Sequence, residues 1–432
     1  MTKILRGETI RFTGNPFLEP DALVHDTDAA IVIRDGVIAD VGPADSVLPK
    51  HPDAEIRRTP HLIAPGFVDC HVHYPQIGII ASWGADLIDW LNGYTFPEEA
   101  RFHDADYAAS AAKAYFDEQL RNGITTAASF CTIHPASVDA YFTEASQRGL
   151  RAIGGKVMMD RNAPDSLRDT AQSGYDDSKA LIDRWQGQAR CSYAITPRFA
   201  PTSTPEQLEA AGALWREHPD CLLQTHLSEQ PREIAWVRDL FPEAPDYLGV
   251  YERYGLVGKG AVYGHAVHLT DPERNVLRET GASVAHCPTS NQFLGSGECS
   301  VRALVADGIR TGLATDTGGG TSYSMFDTMK SAYEVAQRRG DTLTPQQLWW
   351  LATVGSARSL LLGARVGNIA PGMDSDLILI DRDSTPLLRH RMARAETIAE
   401  HLFALIVLGD DRAVAEVIAG GQVMRKTSGS DA

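Results

Sequence analysis

In the stretch PGFVDCHVHYPQ (65–76), His71 and His73 stand one residue apart at the end of an apolar run. An extended chain turns alternate side chains to opposite faces, so both imidazoles would point one way with Val72 opposite. Two imidazoles on one face can share a metal ion. A strand that merely ends in two polar side chains is the ordinary alternative, and the motif by itself leaves both open. Further along stand His226, in THLSE (225–229) with Glu229 three residues on, His265 after Gly264, and Asp316 in TDTGGG (315–320). Taken singly, each is more often structural than functional. Their common property is where they fall along the chain.

Short apolar runs recur between longer helical patterns, the signature of βα units and a parallel sheet. Eight are recognisable: HLIAPGFVDC (61–70), ITTAASF (124–130), RAIGGKVMM (151–159), CSYAITPRF (191–199), CLLQTH (221–226), GAVYGH (260–265), ASVAHCP (282–288) and RTGLATD (310–316). Between them lie helix patterns such as DYAASAAKAYFDEQLRNG (106–123), whose Asn-Gly end is a stop signal. Eight strands alternating with helices over about 260 residues is the size of a (β/α)8 barrel, and barrel enzymes carry their chemistry at the C-terminal ends of the strands. His71 and His73 close the first run, His226 the fifth, His265 the sixth and Asp316 the eighth. Five such residues at strand ends point to a metal site.

The two ends of the chain read differently. AIVIRDGVIADVGP (30–43) predicts a hairpin around Asp35-Gly36, and GMDSDLILID (372–381) and AVAEVIAGGQVM (413–424) are again strand-like, the latter turning at Gly420-Gly421. The expected organisation is a small β domain from residues 1–60 and 370–432 beside a barrel spanning 61–369. The connection over 74–105 carries Trp83, Trp90, Tyr94 and Phe96, more aromatic surface than a plain link needs. It reads equally as a packed excursion and as a lid or subunit contact.

Composition narrows the function. The 432 residues include 40 basic and 56 acidic side chains, a formal net charge of -16, which argues against nucleic acid or an anionic membrane as partner. There is no apolar segment of membrane-spanning length, and MTKILRGETI has no signal-peptide pattern; the expected compartment is the cytoplasm. The six cysteines (70, 131, 191, 221, 287 and 299) form no C-x-x-C pair, so neither a disulfide framework nor a cytidine-deaminase type of zinc site is expected.

The chain resembles the amidohydrolase superfamily, and within it the guanine deaminases, through PGFVDCHVHYPQ, DWLNGYTFPEE (89–99), TPRFAPT (196–202), THLSE, Gly264-His265, AHCPTSN (285–291) and TDTGGGTSYSM (315–325). The resemblance implies one zinc per chain held by His71, His73, His226 and Asp316, with iron as the alternative ion, and a homodimer. Zinc suits imidazole and carboxylate ligands. Relatives that bridge two metals do so through a barrel lysine. The fourth run offers none, and Lys156 in the third precedes its strand end, so a single ion is favoured. In this scheme Asp316 takes the attacking water's proton, Glu229 protonates a ring nitrogen of the substrate, and His265 orients the attacking oxygen, with His226, Glu229 and Asp316 all bordering the substrate. Gln76 and Arg198 offer hydrogen bonds to a purine edge and Phe199 a stacking face. His268 reads as structural. The expected reaction is hydrolysis of guanine to xanthine and ammonia. Aminohydrolases of 8-oxoguanine, pterins, cytosine or triazines need the same apparatus, and a non-enzymatic scaffold is the more distant rival.

Overall fold

Strands from both ends of the chain build one mixed sheet, and the residues between them build a barrel. The computed structural model describes residues 2–84 and 86–427. Ala85, within the 74–105 connection, and residues 428–432, at the end of the expected small domain, lie outside the described residues.

The small sheet begins with β1 (Lys3–Phe12), β2 (Leu23–Arg34), β3 (Val37–Pro43), β4 (Glu55–Arg58) and β5 (Leu62–Pro65). The predicted turn between β2 and β3 forms at Asp35-Gly36, both with positive φ (50° and 78°), the combination that suits the right-handed twist of a tight hairpin. HLIAPGFVDC does not form one strand as expected. It divides at Gly66: β5 pairs within the small sheet, while Phe67 opens the first barrel strand. The backbone amide of Gly66 donates to Asp376 of the small domain and that of Phe67 to Gly123 of the barrel, so hydrogen bonding changes sides at this residue.

The barrel strands follow as β6 (Phe67–His73), β7 (Ile124–Phe130), β8 (Arg151–Gly155), the short β9 (Val157–Met158), β10 (Cys191–Pro197), β11 (Leu222–Leu227), β12 (Ala261–His265), β13 (Ser283–His286) and β14 (Arg310–Leu313). Each pairs in parallel with the next in the order β6-β7-β8-β10-β11-β12-β13-β14, with β9 alongside β10. Helices sit where the 3.6-residue pattern predicts. In Ala105–Arg121, Ala108, Ala111, Ala112, Tyr115, Phe116 and Gln119 share the buried face, and the Asp104 carboxylate caps the amides of Asp106 and Tyr107. Inside the barrel, small side chains including Val68, Cys70, Ala128, Ala194, Val262, Ala285 and Ala314 form an apolar floor. The ends of β6 and β14 are tied together: Asp316 N donates to His71 O (3.0 Å) and His73 N to Thr317 O (2.9 Å).

The chain then returns to the small sheet through β15 (Leu377–Ile380), β16 (Val414–Ala419) and β17 (Gln422–Lys426). β15 pairs antiparallel with β5, giving the order β17-β16-β15-β5-β1-β2-β3, with β4 on β1. The second predicted turn, Gly420-Gly421, also has positive φ at both residues. Sheet and barrel are clamped by ions. Asp374 accepts from Arg151 (2.6 Å) at the start of β8 and from Arg190 (3.0 Å) just before β10, and Arg190 also reaches Asp376 (2.5 Å). Arg365 approaches the other oxygen of Asp374 at 3.0 Å.

Burial would raise the Asp374 carboxyl, but Arg151, then Arg190 and Arg365, outweigh it and hold the group below its ordinary value. A carboxyl lowered in the folded state stabilises the fold above its unfolded pKa, and that contribution is lost as pH falls through the folded value. Asp374→Asn is expected to destabilise the protein by about 2 kcal/mol or more near neutral pH, with the difference shrinking below pH 4. Urea midpoints of both proteins across that range measure it.

Candidate active site

Five side chains from four strand ends converge above the apolar floor. His71 and His73 come from β6 and His226 from β11, His265 is the last residue of β12, and Asp316 lies just beyond β14. Asp316 Oδ1 is 3.3 Å from His71 Nε2 and 3.5 Å from His73 Nε2, and its Oδ2 is 3.6 Å from His265 Nε2. His73 Nε2 and His226 Nε2 face each other at 3.2 Å. The ligand atoms of His71, His226, His265 and Asp316 all lie within 4.8 Å of one another. This tight group therefore takes in His265, which the sequence reading set apart as an orienting residue, while His73 joins through His226 and Asp316.

The donor set fits a cation. His226 Nδ1 is 2.7 Å from the carbonyl of Arg198. A carbonyl only accepts, so that nitrogen carries the proton and Nε2 turns a lone pair to the centre. His71 Nε2 is buried and faces the Asp316 carboxylate at 3.3 Å without an aligned hydrogen bond, a gap that a cation held by both would fill. Burial holds the imidazoles of His71, His73 and His226 below the ordinary histidine value, the neutral state a metal ligand needs. Burial acts on Asp316 in the opposite sense, but His265, followed by His71 and His226, draws it down to about 2. Three neutral imidazoles around one carboxylate form a site for a borderline divalent ion.

Proton-handling groups stand at its edge. Glu229 Oε2 is 3.5 Å from His265 Nε2, and Glu229 Oε1 accepts from Ser296 Oγ at 2.8 Å. Burial above all pushes Glu229 up to about 7, with the charges of Glu233 and Asp316 adding to it against the pull of His265. His265 is raised: burial would lower it, but the Glu229 and Asp316 carboxylates prevail. Its Nδ1 meets Asn291 Oδ1 at 2.8 Å. Glu229 is fixed by its neighbours, since Glu233 accepts from the Glu229 and Gln230 amides and from Tyr247 OH. Ser228, His265, Ala266 and Asp316 all have φ between 48° and 69°. Non-glycine residues in this region are strained and cluster where side chains must be aimed.

A cleft opens beside these groups. Gln76 and Arg198 also line it, with Leu87, Trp90, Leu91, Phe199 and Leu294 supplying an apolar lining. Of the aromatics in the 74–105 connection, Trp90 and Phe96 are buried while Trp83 is 75% exposed, so much of the excursion packs as a roof. A flat slot with an apolar wall and a few fixed polar groups suits a planar heterocycle. His268 bonds through Nε2 to Ser296 O (2.7 Å), a supporting contact one step behind Glu229. Lys156 does not join the metal group: its ammonium is engaged by the Asp169 carboxylate and by Val157 O.

Three contributors escape motif reading. Glu99 is fully buried and bonds to both Arg198 and Gln76. Asp69 receives Thr315 through both its amide (3.0 Å) and its hydroxyl (2.5 Å). Gly264 leaves room for an imidazole: a Cβ there would lie 2.8 Å from His71 Cε1. For Asp69 the available signal is a carboxylate inside an otherwise apolar run, and for Glu99 its place at the end of DWLNGYTFPEE.

A composite fold with imidazoles and a carboxylate at barrel strand ends defines a metal-dependent hydrolase of the amidohydrolase type. The amidohydrolase family profile matches residues 62–424, and the chain belongs to that family. Within it the chain is similar to guanine deaminases. It is 43% identical over 428 residues to guanine deaminase of Escherichia coli (strain K12), covering 98% of this chain and 97% of that one. The solved structure of the E. coli enzyme matches with a TM-score of 0.96 over 98% of this chain and 99% of that chain. Guanine deaminase from C. acetobutylicum, solved with bound guanine in the active site, matches with a TM-score of 0.90 at 30% identity, covering 98% and 100%. A profile for the imidazolonepropionase-like composite domain of bacteria matches residues 29–54, within the small sheet.

Gly264→Ala should push the His71 ring aside and weaken metal affinity by roughly 10–100-fold without unfolding the protein. Competition with a chelator, followed by elemental analysis, reads the effect.

Proposed function

We infer that the chain is a guanine deaminase, a hydrolase that converts guanine and water to xanthine and ammonia. The observation that carries this reading is one cleft lined by Gln76 and Arg198 together with Glu229 and Asp316: donors able to hold a purine share it with the groups that would move its protons. The similar enzymes from E. coli and C. acetobutylicum, the latter with guanine in its active site, support the substrate.

His71, His73, His226 and Asp316 would hold one zinc ion, with iron the alternative, and His265 borders it. The chemistry such an ion supplies is Lewis acidity, which makes water easier to deprotonate near neutral pH. Asp316, ionised throughout the physiological range, takes a proton from the water that adds to the amino-bearing carbon. Glu229, carrying a proton, gives it to the adjacent ring nitrogen, so no charge builds on the ring. His265, held by Asn291, steadies the added oxygen. In the second half Asp316 returns its proton to the departing amine and Glu229 removes the proton of the new hydroxyl. Ammonia leaves, a carbonyl forms, and both carboxyls regain their starting states. Arg198 and Gln76 hold the base by its edge while Phe199 covers one face. The homodimeric, cytoplasmic character of the enzyme, with a free purine and neither nucleic acid nor membrane as partner, rests on the family resemblance and the -16 charge. Among the described residues no helix is long and apolar enough to cross a membrane.

Ammonia release across guanine, 8-oxoguanine, adenine, cytosine, isoxanthopterin and melamine should single out guanine; activity confined to another member of the set would overturn the assignment. Glu229→Gln is expected to keep about one metal equivalent per chain and lose about 10²–10⁴-fold in kcat. Because the protonated carboxyl is the active form, wild-type kcat should fall as pH rises through about 7, and a rate flat from pH 6 to 8.5 would remove Glu229 from that role.

A further inference from the structure

The connection after β6 delivers Glu99, at the end of the short helix Phe96–Glu99, to Gln76 and Arg198, two residues that line the cleft. The side chain has no solvent exposure. Its Oε1 accepts from Gln76 Nε2 (3.0 Å) and from Arg198 Nη1 (3.0 Å), and its Oε2 accepts from the same Nη1 at 2.7 Å. Gln76 Oε1 in turn accepts from the Gly318 amide at 3.1 Å. The Phe96 ring lies 5.8 Å from the Arg198 guanidinium carbon.

These contacts leave few degrees of freedom. A carboxylate only accepts and a backbone amide only donates, so between Glu99 and Gly318 the Gln76 amide has one orientation and its flipped form is excluded. Arg198 spends Nη1 on Glu99. That fixes the roll of a planar group and leaves the Nε and Nη2 donors for another partner. Nothing on this edge of the guanidinium can accept a hydrogen bond. An edge of fixed donors matches a purine carrying an oxo group at position 6, with the acceptor N7 on the same edge, and it opposes an amino group at position 6, whose own donors would meet donors.

Resting on the reading of the chain as a guanine deaminase, we propose that Glu99 is a positioning residue that sets specificity: it locks Arg198 and Gln76 in the arrangement that selects 6-oxo over 6-amino purines. Glu99 touches neither the reacting carbon nor the metal group, and it acts through Arg198 and Gln76 alone.

A side chain that only neutralised Arg198 would need a charge, whereas one that positions both partners needs a particular reach. Glu99→Asp keeps the charge and shortens the reach by one methylene, so it separates these roles in a protein that should fold normally. Steady-state constants are compared on guanine and on 2,6-diaminopurine, which carries the same 2-amino group but an amino group at position 6. Metal content and unfolding midpoint are measured in parallel. Glu99→Asp is expected to raise KM for guanine about tenfold, change kcat less than about threefold and cut the preference for guanine over 2,6-diaminopurine about tenfold, the size of one misplaced charged hydrogen bond. Glu99→Gln should do the same or more, and in an Arg198→Met background Glu99→Asp should shift the preference clearly less than in the wild type, because only the Gln76 contact is left to lose. A Glu99→Asp enzyme with wild-type preference, whether or not its KM rises, would overturn the specificity role while leaving the guanine deaminase reading intact. Wild-type protein inert towards guanine would remove both, so the two failures are told apart by the wild-type measurement.

Discussion

The seam between the first and last barrel strands is the contact on which the site depends. Cys70 of β6 packs against Gly312 of β14, and just beyond β14 the backbone closes, as Asp316 N donates to His71 O and His73 N to Thr317 O. The Asp69 carboxylate takes the place of further ladder bonds by receiving both polar groups of Thr315, a residue 246 positions away. Asp69 is buried and desolvation raises it to about 7, so holding it as an acceptor relies on those bonds. The anion of the metal group and two of its imidazoles thus stand on opposite sides of one seam. Any loosening of the closure would move ligand against ligand, and a misplacement of about 1 Å is enough to cost on the order of 10²-fold in rate.

Around that seam the protein uses one environment to obtain several charge states. Burial withdraws protons from His71, His73 and His226, yet the adjoining His265 is raised by its two carboxylate neighbours. The same burial leaves Glu229 near neutrality while Asp316, ringed by imidazoles, stays an anion. Two carboxyls a few ångströms from the same histidine therefore have different resting states, which is what a pair of proton carriers working in opposite directions requires. The strained backbone at Ser228, His265, Ala266 and Asp316 is the structural cost of turning the strand ends so that His265, Asp316 and the nearby Glu229 face one another.

Much of this was legible in the chain. The barrel strands announced themselves because a parallel sheet covered on both faces needs uninterrupted apolar runs, and the convergence of His71, His73, His226, His265 and Asp316 because strand ends of one barrel face meet. Both hairpin turns followed from Asp35-Gly36 and Gly420-Gly421. The break at Gly66 was hidden because β5 and β6 are equally buried and equally apolar, and nothing in the pattern says that they belong to different sheets. Glu99 was hidden for another reason. It reaches the site from a connection without regular period, and only the packing of Trp90 and Phe96 over the cleft brings its carboxylate to Arg198. Likewise the space that Gly264 leaves for His71 belongs to a neighbouring strand and cannot be read from either strand alone.

The pairing of β5 with β15 has a temporal side. Synthesis runs from the amino end, so β1 to β5 emerge some 310 residues before the strand that completes their sheet. Until Leu377–Ile380 leaves the ribosome, the row of backbone groups on β5 has no partner. An unpaired apolar edge of that kind is a template for other chains. The barrel strands, all made by residue 313, and the helices that follow them can assemble while that edge waits, and the last strands then join the two ends of the polypeptide into one layer. A chain released early would consequently carry a nearly finished catalytic barrel beside an open, adhesive edge, which makes completion of synthesis itself a checkpoint on solubility.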